Sequence, residues 1–156
     1  MIQGDKLYLC CNSDTLDDPS YRYRISVPKF VTVDKKGTKI TLFQNSKVFT
    51  DELEFDEKLL VTLMGKKLSC QTGYDKTIKC HYFKCANMRM NDVVCDIIQK
   101  YLICGSCDRP EVHLTASNNH ITQHCKACGV KSVIENKSLN DNVFDTFYKF
   151  LVGVKP

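Results

Sequence analysis

Cys104-Gly105-Ser106-Cys107 and Cys125-Lys126-Ala127-Cys128 decide how this chain is read. Each is a C-x-x-C pair, and the interval of residues 108–124 between them fits two knuckles closing on one ion. Two thiolates from each knuckle complete a tetrahedron, which is the four-cysteine arrangement of a structural zinc ribbon. Gly129 follows the second pair, where such a turn often needs a residue tolerant of positive φ. The competing reading is a set of buried free thiols. A thioredoxin-like redox pair fits worse, because neither pair opens a βαβ unit. With four thiolates on one Zn²⁺ no coordination position is left for water, so the single expected ion is structural rather than catalytic.

Working outward, Asn91 is expected to cap a helix that runs almost into Cys104, with Val93, Val94, Ile97, Ile98, Tyr101 and Leu102 on its apolar face. Asp56 is expected to cap another helix whose apolar stripe is Leu59, Leu60, Leu63 and Met64, with Gly65 ending it. Strands are expected at Val27–Val33 and Lys39–Phe43, and a hairpin at Ser69–Thr72 and Thr77–Phe83 across Gly73-Tyr74-Asp75-Lys76. In the ribbon, strands are expected at Val112–Thr115, His120–Gln123 and Val130–Ile134. Their thin apolar faces suit a metal-stabilised fold. In the tail, Asn140–Pro156, the residues Phe144, Phe147, Tyr148 and Leu151 recur at helical spacing and are expected to pack on the core.

The expected fold class is therefore α+β. A flexible N-terminal arm occupies residues 1–24, a small α/β domain residues 25–102, and a C-terminal four-cysteine zinc-ribbon domain with its tail residues 103–156. A length of 156 residues accommodates one average domain or two small ones.

The other cysteines are Cys10, Cys11, Cys70, Cys80, Cys85 and Cys95. No secretion signal opens the sequence and no segment approaches a membrane span, so these six are expected as structural thiols in a reducing, intracellular compartment. Cys80, His81 and Cys85 could mimic a second metal site, but three close ligands fit free thiols on a strand and its loop better. His124 adjoins Cys125, yet the complete cysteine set leaves it no place among the ligands.

The net charge of +4 is mild and the lysines are scattered. This permits contact with RNA or an acidic protein and requires neither. No serine elbow, P-loop, dinucleotide fingerprint, H-E-x-x-H or defined carboxylate pair is present, so the chain offers no catalytic constellation of its own. Tyr21-Arg22-Tyr23-Arg24 is the other conspicuous cluster. In an extended segment its tyrosines face one way and its arginines the other. One reading is an edge segment with solvated arginines. The other is a guanidinium presented to phosphate, whose oxygens match the planar arginine fork.

The order of parts resembles a known family. Asp18-Pro19-Ser20-Tyr21-Arg22-Tyr23-Arg24, Gly37-Thr38-Lys39-Ile40, the helix led by Lys58, Gln99–Glu111 with the first knuckle, His124–Gly129 with the second, and the closing Lys155-Pro156 all take part. Together they resemble the N-terminal domain of eukaryotic translation initiation factor 5, whose family is shared with the beta subunit of translation initiation factor 2. The resemblance implies a cytoplasmic protein that stimulates GTP hydrolysis by initiation factor 2. It would act on the gamma-subunit GTPase, in the ternary complex with initiator tRNA bound to the small ribosomal subunit. Arg22 is the implied arginine finger, with Lys39 and Lys58 as its helpers, and the GTPase supplies its own water and magnesium.

Several departures from the family are visible. Ser20 stands where the family tends to an aromatic residue, Ile25 and Ser26 lengthen the step to Pro28, and an Arg-Pro-Pro segment is lacking. Factor 5 continues into a helical-repeat domain beyond the matched stretch, so weaker recruitment is expected of these residues alone. A competitor rather than an activator, a beta-subunit-like partner of the gamma subunit, and an RNA-binding zinc ribbon stay open as other readings.

Overall fold

The computed structural model describes residues 2–9, 21–86, 89–136 and 142–153. Cys10 and Cys11, the Asp18-Pro19-Ser20 part of the arm motif and the closing Lys155-Pro156 lie outside the described residues.

The chain begins with β1 (Ile2–Gln3) and β2 (Lys6–Tyr8), and β3 (Arg24–Ser26) lies antiparallel to β2. Part of the segment expected as an arm thus belongs to a small sheet of order β1-β2-β3. Leu7 and Ile25 face each other in the ladder and are both buried. Their burial supplies the cross-strand apolar pair that makes such short strands hold.

Next come β4 (Phe30–Lys35), β5 (Thr38–Phe43), α1 (Ser46–Glu52) and α2 (Glu57–Lys67). They are followed by β6 (Thr72–Asp75), β7 (Cys80–Phe83) and α3 (Met90–Tyr101). The four strands form one antiparallel sheet of order β4-β5-β7-β6. Asp56 does cap α2: its side chain accepts from the Leu59 N–H at 2.7 Å.

Two glycines have roles other than those expected. The helix α2 runs past Gly65, because that glycine is a packing residue: a Cβ there would lie 2.5 Å from Thr72 Cγ2. The helix ends instead at Leu68, followed by Ser69 at φ +52°. Gly73 lies inside β6 rather than in the turn, because the Tyr82 ring covers it at 2.5 Å from where a Cβ would stand. The hairpin therefore turns at residues 76–79, with Asp75 Oδ1 accepting from the Thr77 N–H at 2.9 Å. Helix α3 starts one residue before Asn91, with Arg89 at its N-cap. The buried Met90 extends its first turn into the core.

The ribbon consists of β8 (Val112–Ser117), β9 (His120–Cys125) and β10 (Lys131–Ile134) in the order β10-β9-β8, and α4 (Asn142–Leu151) closes the fold. In α4, Phe144 and Phe147 are buried, as the helical spacing implied. Phe147 meets Tyr101 of α3 edge-on at 4.5 Å and Phe55 at 5.9 Å. One cluster of buried side chains runs from Leu7 and Ile25 through Leu60, Met64 and Ile97 to Ile121 and Ile134. The arm sheet, the helix–sheet body and the ribbon thus share a core. Among the described residues, no helix is long and apolar enough to cross a membrane.

Candidate metal centre and the arginine beside it

The two knuckles are built alike. In the first, the Asp108 N–H donates to the Cys104 carbonyl at 2.9 Å, and the Cys104 N–H to the Arg109 carbonyl at 3.0 Å. In the second, the Gly129 N–H donates to the Cys125 carbonyl at 2.9 Å, and the Cys125 N–H to the Val130 carbonyl at 3.0 Å. The residue closing each turn is left-handed, Asp108 at φ +53° and Gly129 at φ +75°. Gly129 matches the sequence reading. Asp108 is its unforeseen counterpart, an acidic residue that tolerates this region because its short side chain can bond locally.

These turns bring four sulfurs together. The Sγ atoms of Cys104, Cys107, Cys125 and Cys128 all lie within 4.8 Å of one another. Cys104 and Cys128 are 3.8 Å apart, and Cys107 and Cys125 3.6 Å. A tetrahedron with Zn–S bonds of about 2.3 Å has edges of about 3.8 Å, so the donor set can hold a metal ion of this kind. Desolvation pushes the Cys107 thiol up to about 12. At Cys125 desolvation acts in the same direction, but the N–H groups of Cys128 and Ala127 and the neighbouring thiols overcome it and bring the group to about 7. Protons must leave all four sulfurs when a metal binds, so affinity rises with pH.

A residue that sequence reasoning missed ties β9, the strand leading into the second knuckle, to the end of α3. Gln123 is 6% exposed, and its Nε2 donates to the Tyr101 carbonyl at 3.1 Å. That carbonyl belongs to the last turn of α3, where backbone acceptors lack partners within the helix. Ser132 Oγ donates to Gln123 Oε1 at 3.2 Å, so the amide is engaged at both ends. No sequence pattern marks it beyond a polar residue on the apolar face of a strand.

Cys80, His81 and Cys85 do not assemble as a second metal site, in keeping with the free-thiol reading. Cys80 Sγ donates to the Phe43 carbonyl at 3.1 Å, His81 packs against Tyr74 at 4.9 Å, and Cys85 Sγ stands 3.4 Å from Cys70 Sγ. Burial raises the Cys70, Cys80 and Cys95 thiols, with Cys70 reaching about 12. His124 is exposed on β9 opposite His113, outside the sulfur cluster.

The Tyr21–Arg24 segment alternates as expected, its tyrosines half-buried and its arginines exposed. Tyr21 Oη donates to the Leu9 carbonyl at 2.9 Å, and the Leu9 N–H donates to the Tyr23 carbonyl at 2.9 Å, continuing the β2–β3 ladder. The Arg22 side chain is 74% exposed. Its guanidinium carbon stands 4.8 Å from the Tyr23 ring centre. Its Nη2 donates to Tyr23 Oη and to Glu111 Oε1, each at 2.5 Å. Glu111 in turn belongs to the ribbon, and its carbonyl accepts from the Lys126 N–H at 2.8 Å, inside the second knuckle. A cleft of about 730 Å³ opens here, lined by Arg22, Tyr23, Glu52, Leu102, Glu111 and Lys126 among others.

Lys39 and Lys58 do not line that cleft. Lys39 lies on β5 and borders a groove of about 630 Å³ with Phe30, Thr32, Asp34 and Asn91. Lys58 is exposed in the first turn of α2.

The family model described as a domain found in initiation factors 2B and 5 covers residues 13–131, which include both knuckles, Arg22, Lys39 and Lys58. A eukaryotic translation initiation factor 5 from Caenorhabditis elegans is 31% identical over 124 residues, 77% of this chain and 28% of that protein. Its counterpart in Saccharomyces cerevisiae is 27% identical over 122 residues, 76% of this chain and 30% of that protein. A translation initiation factor 2 subunit beta from Halobacterium salinarum is 22% identical over 112 residues, 71% of this chain and 83% of that protein. The chain therefore spans less than a third of these two factor 5 relatives but most of the length of the archaeal beta subunit. Since the family model spans most of the sequence and takes in both cysteine knuckles, the chain belongs to the family that carries this domain of initiation factors 2B and 5.

Proposed function

We propose that this protein acts in translation initiation by stimulating GTP hydrolysis on the gamma subunit of initiation factor 2, and that Arg22 is the group that reaches the nucleotide. The observation that carries this reading is a 74% exposed guanidinium at the edge of an ordered sheet, beside a cleft, in a chain of this family. A cation brought to the transferred phosphoryl group stabilises the charge that develops on its oxygens. The reaction needs no active site on this chain. Its partners would be the GTP-bound complex with initiator tRNA and the small ribosomal subunit in the cytoplasm, and an RNA contact is compatible with the mild positive charge. Lys39 and Lys58, on separate elements, would contact the same partner from other points.

One Zn²⁺ on Cys104, Cys107, Cys125 and Cys128 would supply rigidity and no chemistry. Residues 1–24 would serve as the working arm, residues 25–102 as the α/β body, and residues 103–156 as the ribbon with its tail. The test is GTP hydrolysis in a reconstituted initiation complex, comparing native protein with Arg22→Ala. Loss of stimulation supports the finger, and equal rates remove it.

The coverage of the archaeal beta subunit favours a second reading, a structural partner of the gamma subunit. Stable co-purification with that subunit and no stimulated hydrolysis would select it.

A further inference from the structure

A guanidinium grips phosphate through one of two edges, Nη1 with Nη2 or Nε with Nη2, each donating two parallel N–H bonds. Both edges include Nη2. That atom carries two protons, and in Arg22 it meets two acceptors, Tyr23 Oη and Glu111 Oε1. Nη1 and Nε make no hydrogen bond among the described residues, yet neither can form a two-pronged contact without Nη2. As it stands, Arg22 can offer a phosphate only single N–H bonds. The Tyr23 ring centre stands 4.8 Å from the guanidinium carbon, a cation–π contact that adds to the hydroxyl's hold.

Glu111 is itself held. It precedes β8, and its carbonyl accepts from the N–H of Lys126, the residue after Cys125. The residue that carries the carboxylate is therefore tied by its backbone to the ribbon's second knuckle, not to the arm that carries Arg22. We infer that Glu111 is a positioning residue for Arg22: it holds the guanidinium against the ribbon and, while Tyr23 Oη keeps the other Nη2 proton, must release it before a phosphate can be gripped by two N–H groups. This inference rests on the reading of Arg22 as the working group of the arm. The hold is light, because an exposed arginine–carboxylate pair is weak and is screened by salt. A phosphate chain, with several negative charges, competes with the single carboxylate for the guanidinium. Arg22 would thus spend part of its time parked on Glu111 until the protein is seated on its partner.

Two measurements test the hold separately from the finger. The first is the rate at which phenylglyoxal modifies Arg22, read by peptide mass mapping with Arg24 as the internal reference. Glu111→Gln keeps the shape and removes the charge, and it should speed modification of Arg22 about two- to fivefold. Raising salt on the native protein should give the same acceleration and leave little difference between the two proteins. Equal rates in the native and Glu111→Gln proteins, with no salt effect, overturn the inference whatever the hydrolysis assay gives. The second is stimulated GTP hydrolysis at limiting protein concentration. Glu111→Gln should raise it by a similar factor in the native background and leave it unchanged in Arg22→Ala. A lower rate for Glu111→Gln overturns the hold as a brake. If Arg22→Ala alone matches native protein, the finger fails, and the hold is then decided by the modification rates.

Discussion

The ribbon and the helix–sheet body differ in what keeps them folded. The body buries Phe43, Phe49, Leu60, Leu63, Met64, Phe83 and Val94 to 0% exposure, which at about 25 cal/mol per Å² of apolar surface makes apolar burial the leading stabilising contribution. The three ribbon strands carry only two of the buried aliphatics, Ile121 and Ile134, together with Gln123 and Cys125. The rest of the ribbon's order comes from two hydrogen-bonded turns and four sulfurs. A protein can therefore carry a region with little core if tight turns and a cluster of four sulfurs able to hold a metal close it and a neighbour's core borders it. Here that neighbour is reached through Phe147 and Gln123.

Metal removal should break the comparison most sharply. Structural zinc contributes about 10–16 kcal/mol in small metal-dependent folds. Chelation should abolish hydrogen-exchange protection across residues 104–134 while residues 57–67 of α2 keep theirs. Equal protection in both regions after chelation would show that the ribbon needs no metal. Acid should act in the same direction. Protons compete for the sulfurs, so metal affinity should fall throughout as pH drops, from above neutrality where Cys107 already holds its proton, and most steeply below about 7, where Cys125 does too.

A smaller effect is expected at the joint. Phe147 is 1% exposed between Tyr101 and Phe55, so Phe147→Ala should cost about 3–5 kcal/mol in denaturant unfolding. The loss should appear with metal bound, since the joint is made of apolar contacts. Smaller still is the contrast between the knuckles. Gly129→Ala places a Cβ at φ +75° and should cost about 1–2 kcal/mol, whereas Asp108→Gly should be neutral or slightly stabilising. Thermal melts of the metal-bound proteins compare the two. A costly Asp108→Gly would mean that the aspartate side chain does more than tolerate its backbone.

What the sequence disclosed follows from the range of the interactions. The knuckles were legible because two ligands three residues apart are a local pattern, and α2 because Asp56 and its leucine stripe are local too. Gly65 and Gly73 were misread because their reason is a neighbour across the fold, Thr72 and Tyr82, which no local rule reveals. The β1-β2-β3 sheet was hidden because strands of two and three residues carry no period, and β3 pairs with a strand well upstream of it. Helix α1 has no capping side-chain bond and no acidic first turn to announce it. Around the site, the cysteines and the alternation of Tyr21–Arg24 could be read directly. Asp108, Gln123 and Glu111 could not, because a left-handed turn, a buried amide and an ion pair 89 residues apart exist only once the chain is folded.

The central claim is that one exposed guanidinium on the arm completes another protein's phosphate site. Single-turnover GTP hydrolysis on initiation factor 2, with native protein, Arg22→Lys and Arg22→Ala at saturating concentration, tests it most directly. A trans-acting arginine is worth about 10³–10⁵ in rate, so Arg22→Ala should lose most of the stimulation. Arg22→Lys should recover only a small part, because an ammonium lacks the planar fork. Indistinguishable rates for native protein and Arg22→Ala would contradict the account.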